Sequence, residues 1–383
     1  MGNSILVNAD PRVHIFASTT SWIEDAAIRQ FTHLANRNGV TAVAGMPDLH
    51  PGHHGPVGCA ALAKGFVHAD VIGTDIGCGM QLWSLDVAER NLNLDKMVQR
   101  FSALEGAWAG DGIAELEAAD IDATDHAYAL GTIGGGNHFC EVQAIKEIVD
   151  SALSANAGLV RGGAALLVHS GSRSLGAATL LRHYASGTDG LPLDAGGLDY
   201  ISDHDVAVRF ASLNRQIIAR RALGAIRANG QQIVDSPHNL VERSGDIVLH
   251  RKGAAPSNRG LVPIAGSRGA LTYLVMPLEV PAEALSSVAH GAGRKHDRGS
   301  MERRVRNAPG SVQKLVRTAL GSRVICTDRR LLMEEAPEAY KDIGKVIADL
   351  EALKLVKVVA VLRPVITFKT ARETREDKRQ VKS

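Results

Sequence analysis

Residues of metal-ligand type lie beside glycines at wide intervals along this chain, and this spacing is the strongest constraint on its fold. Asp75 and Cys78 are three residues apart in the glycine-rich segment 73–79. Histidines with a glycine or asparagine neighbour follow far downstream, at His138, His169, His238 and His290. A carboxylate, a thiol and imidazoles suit a borderline divalent metal, and glycine lets the backbone approach a bound group closely. Side chains so far apart in sequence can meet only if one domain folds around them.

Composition and charge narrow the class of protein. A chain of 383 residues with 45% hydrophobic residues can bury one large core or two ordinary cores. The net charge of +2 neither supports nor excludes a polyanionic partner, so any nucleic-acid binding must come from a local patch. The four cysteines form no C-x-x-C pair, which argues against a disulfide framework and a zinc finger. Without a leader pattern or an apolar run of transmembrane length, we expect a cytoplasmic protein with no membrane partner.

The pattern of hydrophobic residues predicts an irregular series of helices and strands. Ser21 and Glu24 form a capping-box pattern before an amphipathic helix, Val71 and Ile72 are expected to end a strand, and 166–168 should be a buried strand that delivers His169. Further helices are predicted at 175–184, 203–226 and 342–353, and a strand-rich stretch interrupted by Pro364 at 355–368. This order favours an α+β fold of mixed sheets with surrounding helices over a doubly wound fold. We expect one compact domain over 1–370 and a charged, solvated tail over 371–383.

Taken one at a time, the candidate site residues leave alternatives open. Cys78 could be a ligand or a small buried hydrophobe, although Asp75 beside it disfavours ionisation of both groups unless a cation lies between them. The loop containing His50, His53 and His54 could be a metal cluster in its own right or a structural turn. The segment 131–137 could cradle phosphate or only permit tight turns, and it matches neither a dinucleotide fingerprint nor a P-loop.

A series of motifs, taken together, resembles one known family. In chain order they are MPDLHPG at 46–52, DIGCG at 75–79, GNHFCEV at 136–142, HSGSR at 169–173, SPHN at 236–239, HRKGA at 250–254, HGAGR at 290–294 and EAPEAYKD at 335–342. The same order of motifs is found in RtcB-type RNA ligases, and the likeness runs from about residue 45 to Lys369. The chain is therefore identified as a member of that family, with an RtcB-like fold.

The resemblance implies an RNA ligase that depends on GTP and Mn²⁺. Such an enzyme joins RNA ends bearing a 3′-phosphate or 2′,3′-cyclic phosphate to 5′-hydroxyl ends, and His290 would be the catalytic nucleophile that takes GMP from GTP. Cys78 would bridge two Mn²⁺ ions, with Asp75 and His138 completing one site and His169 and His238 the other. The residues implied in nucleotide binding are Asn137 at the phosphates, Glu141, Tyr340 and Lys369 at guanine, and Ser267 and Arg294 in the GMP pocket.

The implied chemistry agrees with these residue types. A neutral imidazole can attack phosphorus, and the P–N bond that forms is labile enough to pass GMP onward. Two metal ions can neutralise crowded phosphate oxygens, and a thiolate among imidazoles favours Mn²⁺ over Mg²⁺. The alternative function is a dinuclear metal phosphoesterase that opens RNA cyclic phosphates without sealing, since hydrolysis would not need His290.

Some positions depart from the family pattern. Gly77 stands where many members carry Asn, and Gln81 stands where an arginine that could touch the RNA backbone commonly follows. The segment 254–257 lacks a common arginine, and the chain continues past Lys369 and Thr370. These departures indicate the divergent branch associated with release factor H, which acts on damaged ribosomal RNA rather than on spliced transfer RNA. They leave open the physiological RNA, any link to the ribosome and any need for archease as an activator.

Overall fold

Two β-sheets of unequal size form the framework of the protein. The computed structural model describes residues 10–184, 189–307 and 315–370. Its strands are β1 Val13–Ile15, β2 Val40–Pro51, β3 Pro56–Lys64, β4 Phe66–Val67, β5 Gly79–Ala88, β6 Phe139–Ile148, β7 Gly163–Ser170, β8 Leu191–Pro192, β9 Gly230–Pro237, β10 Asn239–Ser244, β11 Ile247–Lys252, β12 Ala254–Pro256, β13 Val262–Ala265, β14 Thr272–Pro277, β15 Ser287–Ala289, β16 Arg323–Ile325 and β17 Val356–Phe368.

The larger sheet has eight strands and the smaller has five. In the larger sheet the order is β13-β14-β17-β6-β7-β5-β9, with β16 paired to β17, and in the smaller sheet it is β1-β2-β3-β11-β10. Most neighbours are antiparallel, whereas β1 lies parallel to β2 and β16 parallel to β17. Two short ladders, β12-β15 and β4-β8, lie outside these two sheets.

Helices surround both sheets. They are α1 Asp25–Ala35, α2 Ala69–Ile72, α3 Leu94–Phe101, α4 Gly112–Ala118, α5 Ser151–Asn156, α6 Arg173–His183, α7 Leu198–Ile226, α8 Arg298–Arg306, α9 Arg329–Glu334 and α10 Ile343–Ala352. The longest, α7, buries one face that includes Phe210, Ile217 and Ile218. This mixture of helices and antiparallel sheets confirms the α+β prediction.

One hydrophobic core joins the two sheets. Met46 and Ala60 of the smaller sheet pack in the same cluster as Ile264 and Val275 of the larger sheet, together with Leu350 of α10. Burial of aliphatic side chains from both sheets in one cluster stabilises their arrangement through the hydrophobic effect. The two sheets therefore share buried side chains and are not separated by solvent.

Most of the predicted elements are confirmed. The strand before His169 is β7, and the helices predicted at 175–184, 203–226 and 342–353 correspond to α6, α7 and α10. Pro364 does not end β17, but it shifts the register with β6 before Ile366, as expected of a residue that cannot donate to a ladder. The predicted tail at 371–383 lies outside the described residues.

Two local predictions were wrong. Val71 and Ile72 belong to helix α2, not to a strand; both are buried, and a short buried apolar run does not distinguish the two structures. The N-cap of α1 is Glu24, without a side-chain cap, and the Ser21 hydroxyl instead donates to the carboxylate of Asp349. No helix in the described parts of the chain combines the length and apolar character needed to cross a membrane.

Candidate active site

Strand pairing brings the predicted metal ligands to one end of the larger sheet. In the antiparallel order β6-β7-β5-β9, the first residue of β5, Gly79, lies opposite Ser170 at the end of β7 and Pro237 at the end of β9. His169 likewise lies opposite Phe139, the first residue of β6. Cys78 and His138 precede their strands and His238 follows its strand, so these side chains meet at one edge.

The ligand-type side chains form one contiguous cluster. The Cys78 Sγ atom lies 3.4 Å from His138 Nε2 and 3.2 Å from His169 Nε2. Asp75 Oδ2 is 3.0 Å from His138 Nε2, and the Nε2 atoms of His169 and His238 are 3.2 Å apart. Among the described residues, Cys78, His138 and His169 are the group whose ligand atoms are mutually close enough to hold one metal ion.

Burial controls the ionisation of this cluster. It raises the pKa of the Cys78 thiol, an effect that the charge of Asp75 strengthens, and it lowers the pKa values of His169 and His238. Burial alone would raise the pKa of Asp75, but His138 beside it brings that pKa below its usual value. A divalent cation would favour the thiolate and accept the lone pairs of the neutral imidazoles. The donor set therefore fits a borderline divalent metal.

Packing against α7 explains Gly77 in the turn between the first two ligands. Gly77 has φ +70°, and a Cβ atom there would lie 2.8 Å from Ala211 Cβ and 2.9 Å from Val208 Cα. The fully buried Arg215 of α7 donates to Gly77 O at 2.7 Å and to Ser170 O at 2.9 Å. The helix thus holds the turn of Cys78 and the end of β7 at a fixed separation.

His290, the predicted nucleophile, lies beside this cluster and next to a carboxylate. Its ring centroid is 4.4 Å from that of His238, and its Nδ1 atom is 2.8 Å from Asp48 Oδ2. Asp48 is completely buried, in the irregular part of β2. The two atoms are within ion-pair distance, although neither makes a hydrogen bond of acceptable geometry to a described residue. The role of Asp48 was missed at the sequence level, although its motif was recognised.

The residues predicted to bind nucleotide line one cavity of about 780 Å³. They are Asn137, Glu141, Ser267, Arg294, Tyr340 and Lys369, and the cavity also exposes Asp75, Cys78, His169, His238 and His290. His138 is not among the lining residues, but its Nε2 atom is within hydrogen-bond distance of Asp75, which is. Every site residue predicted from the sequence is thus in or directly beside a single cavity.

Two buried carboxylates mark the part of the cavity near Lys369. Burial raises the pKa of Glu141 to about 7, although hydrogen bonds from Thr367 and Gln143 oppose that shift. Burial would also raise the pKa of Glu335, but the charges of Lys369 and Arg294 lower it to about 2. These carboxylates differ in charge at neutral pH, and Glu141 has the polarity to accept hydrogen bonds from a planar heterocycle.

Glu335 is a second residue whose role the sequence did not reveal. It accepts from Arg294 at 2.9 Å and from the Tyr340 hydroxyl, and Arg294 lies 5.2 Å from the centre of the Tyr340 ring. Its position five residues before Tyr340, in a recognised motif, was the available signal. The lysine at 369 donates to the His138 carbonyl at 2.9 Å and so connects this pocket to the ligand cluster.

Other sequence hypotheses are resolved by burial. His50 is buried with Nδ1 2.8 Å from Asp48 O, while His53 and His54 contact each other at the exposed rim, so these histidines do not converge as a ligand cluster. Gln81 is completely buried and accepts from Trp83 Nε1 at 2.9 Å. The residue at 81 is therefore turned away from the cavity, and its side chain is not in a position to touch RNA there.

Comparisons with known proteins identify the family of this chain. A family model described as tRNA-splicing ligase RtcB matches residues 30–107, 105–191 and 189–370. The RNA-splicing ligase RtcB2 of Escherichia coli is 44% identical over 365 residues, covering 94% of this chain and 96% of that protein. The tRNA-splicing ligase RtcB of Archaeoglobus fulgidus is 26% identical, covering 89% and 90% respectively. The chain belongs to the RtcB family of tRNA-splicing ligases.

Proposed function

We propose that this protein is an RNA ligase that uses GTP and Mn²⁺ to join RNA ends bearing a 3′-phosphate or 2′,3′-cyclic phosphate to 5′-hydroxyl ends. The observation that carries the proposal is the position of His290. Its imidazole lies in one cavity with the ligand cluster and with the polar groups suited to a nucleotide. Membership of the family supports the ligase activity, since the relatives compared above are named RNA-splicing or tRNA-splicing ligases.

Two Mn²⁺ ions would be held by the cluster, with Cys78 between them. Asp75 and His138 would complete one set of ligands, and His169 and His238 the other. When bound, such ions supply electrostatic stabilisation of phosphate oxygens during displacement at phosphorus. The soft thiolate and the imidazoles support a transition metal over Mg²⁺, which prefers oxygen ligands.

The chain's own nucleophile would begin the reaction. Nε2 of His290 attacks the α-phosphorus of GTP, so that a P–N bond forms and the bond to the departing pyrophosphate breaks. Asp48 keeps the Nδ1 side of the ring oriented and stabilises positive charge on the imidazole. Asn137 and Arg294 line the cavity and are the proposed contacts to the nucleotide.

The two remaining steps transfer GMP through the RNA. An oxygen of the RNA 3′-phosphate attacks the phosphorus on His290, which breaks the P–N bond and activates the RNA end. The 5′-hydroxyl of the second RNA then attacks the RNA 3′-phosphate, and GMP leaves as the phosphodiester forms. A cyclic phosphate must first be opened by hydrolysis.

The base would be recognised where Glu141, Tyr340 and Lys369 meet. In its ionised form, Glu141 can accept from the N1–H and N2–H groups of guanine. Ser267 contributes to the GMP pocket. We further propose that the physiological RNA is damaged ribosomal RNA and that the protein acts with release factor H at the ribosome; archease is the proposed activator to test alongside it.

Formation of a covalent GMP adduct tests the proposal. The protein is incubated with GTP labelled at the α-phosphate and with Mn²⁺, and the denatured protein is examined for label. We expect a labelled band from the wild-type chain and none from His290→Ala. Sealing of a nicked RNA with defined 3′-phosphate and 5′-hydroxyl ends should require GTP.

The same assays separate ligation from hydrolysis. A protein that opens cyclic phosphates but forms neither an adduct nor a sealed product would be the phosphoesterase, and the ligase proposal would be rejected. An adduct of full intensity in His290→Ala would instead reject the assignment of the nucleophile.

A further inference from the structure

Lys341 lies outside the cavity lining but contacts the backbone on both sides of Asp48. Its ammonium group donates to the Leu49 carbonyl at 2.6 Å and to the Pro47 carbonyl at 3.2 Å. Asp48, between these two residues, has Oδ2 2.8 Å from His290 Nδ1. We propose that Lys341 is a positioning residue for His290, which it orients by fixing the segment that carries Asp48.

The segment around Asp48 needs such support because it departs from regular strand pairing. The register of β2 with β3 passes from Gly45 opposite Cys59 to His50 opposite Val57, so β2 has extra residues between these pairs. A bulge of this kind leaves backbone groups without ladder partners and redirects side chains. The two carbonyls held by Lys341 belong to this bulge, and the redirected side chain is the carboxylate that faces His290.

Lys341 is also attached to the loop that carries His290. Its backbone N–H donates to Gly293 O at 3.0 Å. Gly293 has φ +70°, and a Cβ atom there would lie 2.2 Å from Asp48 O, so the loop and the bulge are in close contact. One residue therefore connects both sides of the Asp48–His290 contact, with its side chain on the bulge and its backbone on the loop.

The chemistry of the lysine suits this role. Burial lowers the pKa of Lys341 to about 8, although the charge of Asp48 opposes the shift, so the side chain is mostly a cation at neutral pH. Hydrogen bonds from a cation are stronger than neutral ones. Because Lys341 is absent from the cavity lining, we expect its effect on the nucleotide to be indirect.

The inference rests on the proposed function, and its first test measures formation of the GMP adduct in a single turnover. Lys341→Met should slow this step by about one hundredfold, the scale of loss for a small misplacement of a reacting group. GTP affinity, measured in a His290→Ala background, should stay within about twofold. Lys345→Met, at an exposed lysine at the start of α10, is the matched control and should react at the wild-type rate.

A double-mutant cycle distinguishes positioning from general stabilisation. If Lys341 acts through the carboxylate, Lys341→Met should add little to the loss already caused by Asp48→Asn, because coupled residues are not additive. Lys341→Arg, which keeps the charge and its donors, should recover part of the rate. A rate loss of equal size in both backgrounds, or a loss confined to GTP affinity, would overturn the inference.

A second measurement does not depend on activity. Nitrogen chemical shifts of the His290 ring, assigned by comparison with His290→Ala, report which nitrogen carries the proton. We expect protonation at Nδ1 in the wild-type chain and in Lys345→Met, and a mixture of tautomers in Lys341→Met. An unchanged tautomer in Lys341→Met would contradict the positioning role, whereas a wild-type chain without an adduct would contradict the proposed function alone.

Discussion

Glu141 combines a buried carboxylate with a pKa inside the physiological range. Because burial raises this pKa to about 7, the carboxyl is mostly protonated at pH 6 and mostly ionised at pH 8. The ionised form is the one that can accept two hydrogen bonds from guanine. We therefore expect GTP affinity to increase by up to about tenfold between pH 6 and pH 8.

The measurement uses His290→Ala protein, so that binding is observed without reaction. Glu141→Gln should bind GTP more weakly at pH 8 and should lose the part of the pH dependence that belongs to this carboxyl. Since both proteins retain the same proposed metal ligands, the ratio of their GTP affinities isolates the contribution of Glu141. A ratio that does not change with pH would show that another group is responsible.

Cys78 and Cys140 are both buried, but only Cys78 is surrounded by imidazoles. Cys140 packs among the hydrophobic residues of the core. We expect Cys78→Ala to lose bound Mn²⁺, measured as metal content after dialysis, and Cys140→Ala to retain it. Equal metal content in the two variants would contradict the bridging role of Cys78.

At the residue level, a reactive group beside glycines was enough to mark His290 and Cys78 as candidates, and their proposed roles came from the resemblance of the whole series of motifs. The structure places both side chains in one cavity. Asp48 and Glu335 were missed because their significance depends on partners that lie far away in sequence, at His290 and Arg294. A motif shows which side chains are present, whereas their contact partners can be identified only once the fold is known.

At the level of elements, the close approach of α7 to the metal-ligand turn gives a stability prediction. Gly77→Asn would place a side chain against Ala211 and Val208, and overpacking of this kind costs about 1–3 kcal/mol. Gly65→Asn is the matched control, because Gly65 has φ +75° but nothing within 4 Å of its Cβ position. Its cost should be about 1 kcal/mol or less, from the backbone alone.

Thermal unfolding in the absence of metal checks this prediction. Gly77→Asn should lower the midpoint clearly more than Gly65→Asn, and it should also weaken Mn²⁺ binding because the turn that carries Asp75 and Cys78 must shift. Similar midpoints for the two variants would mean that α7 shifts to accommodate the new side chain at little cost in stability.

The longest elements that the sequence predicted carry many apolar residues. Helix α7 spans enough residues to show a buried face, and strand β17 is a long apolar run that is buried along almost its whole length. Val71 and Ile72 are too few to show a period, and Ser21 is used by a partner on α10 rather than by its own helix. Predictions from local sequence patterns fail where a side chain makes a hydrogen bond to a distant element instead of to its own helix.

For the whole molecule, scattered ligands correctly implied that distant segments converge, but not how the sheets are built. The strand order of the larger sheet places β17 between β14 and β6, which joins the last described strand to the middle of the chain. Nothing in the hydrophobic pattern specifies such long-range pairing. The motifs therefore predicted which residues line the cavity, and the sheet topology explains why these residues lie close together.

The sheet topology also predicts how metal affects the stability of the whole protein. Five ligand-type residues lie at or near the ends of β5, β6, β7 and β9, so the two proposed ions would together connect four strands of one sheet. A ligand that binds only the folded state adds about 2.7 kcal/mol at one hundred times its dissociation constant. We expect Mn²⁺ to raise the unfolding midpoint and a chelator to reverse the increase.

Variants of the two kinds of histidine in the cavity should respond differently to Mn²⁺. His169→Ala removes a proposed ligand at the centre of the cluster and should abolish most of the increase in the midpoint. His290→Ala should preserve the increase, because the Nδ1 atom of His290 faces Asp48 and its proposed role is in nucleotide transfer. Comparing each variant with and without Mn²⁺ removes the effect of the substitution itself on the midpoint. An increase that survives in His169→Ala but disappears in His290→Ala would place the stabilising metal on the nucleophile's side of the cavity and would exclude the proposed ligand set.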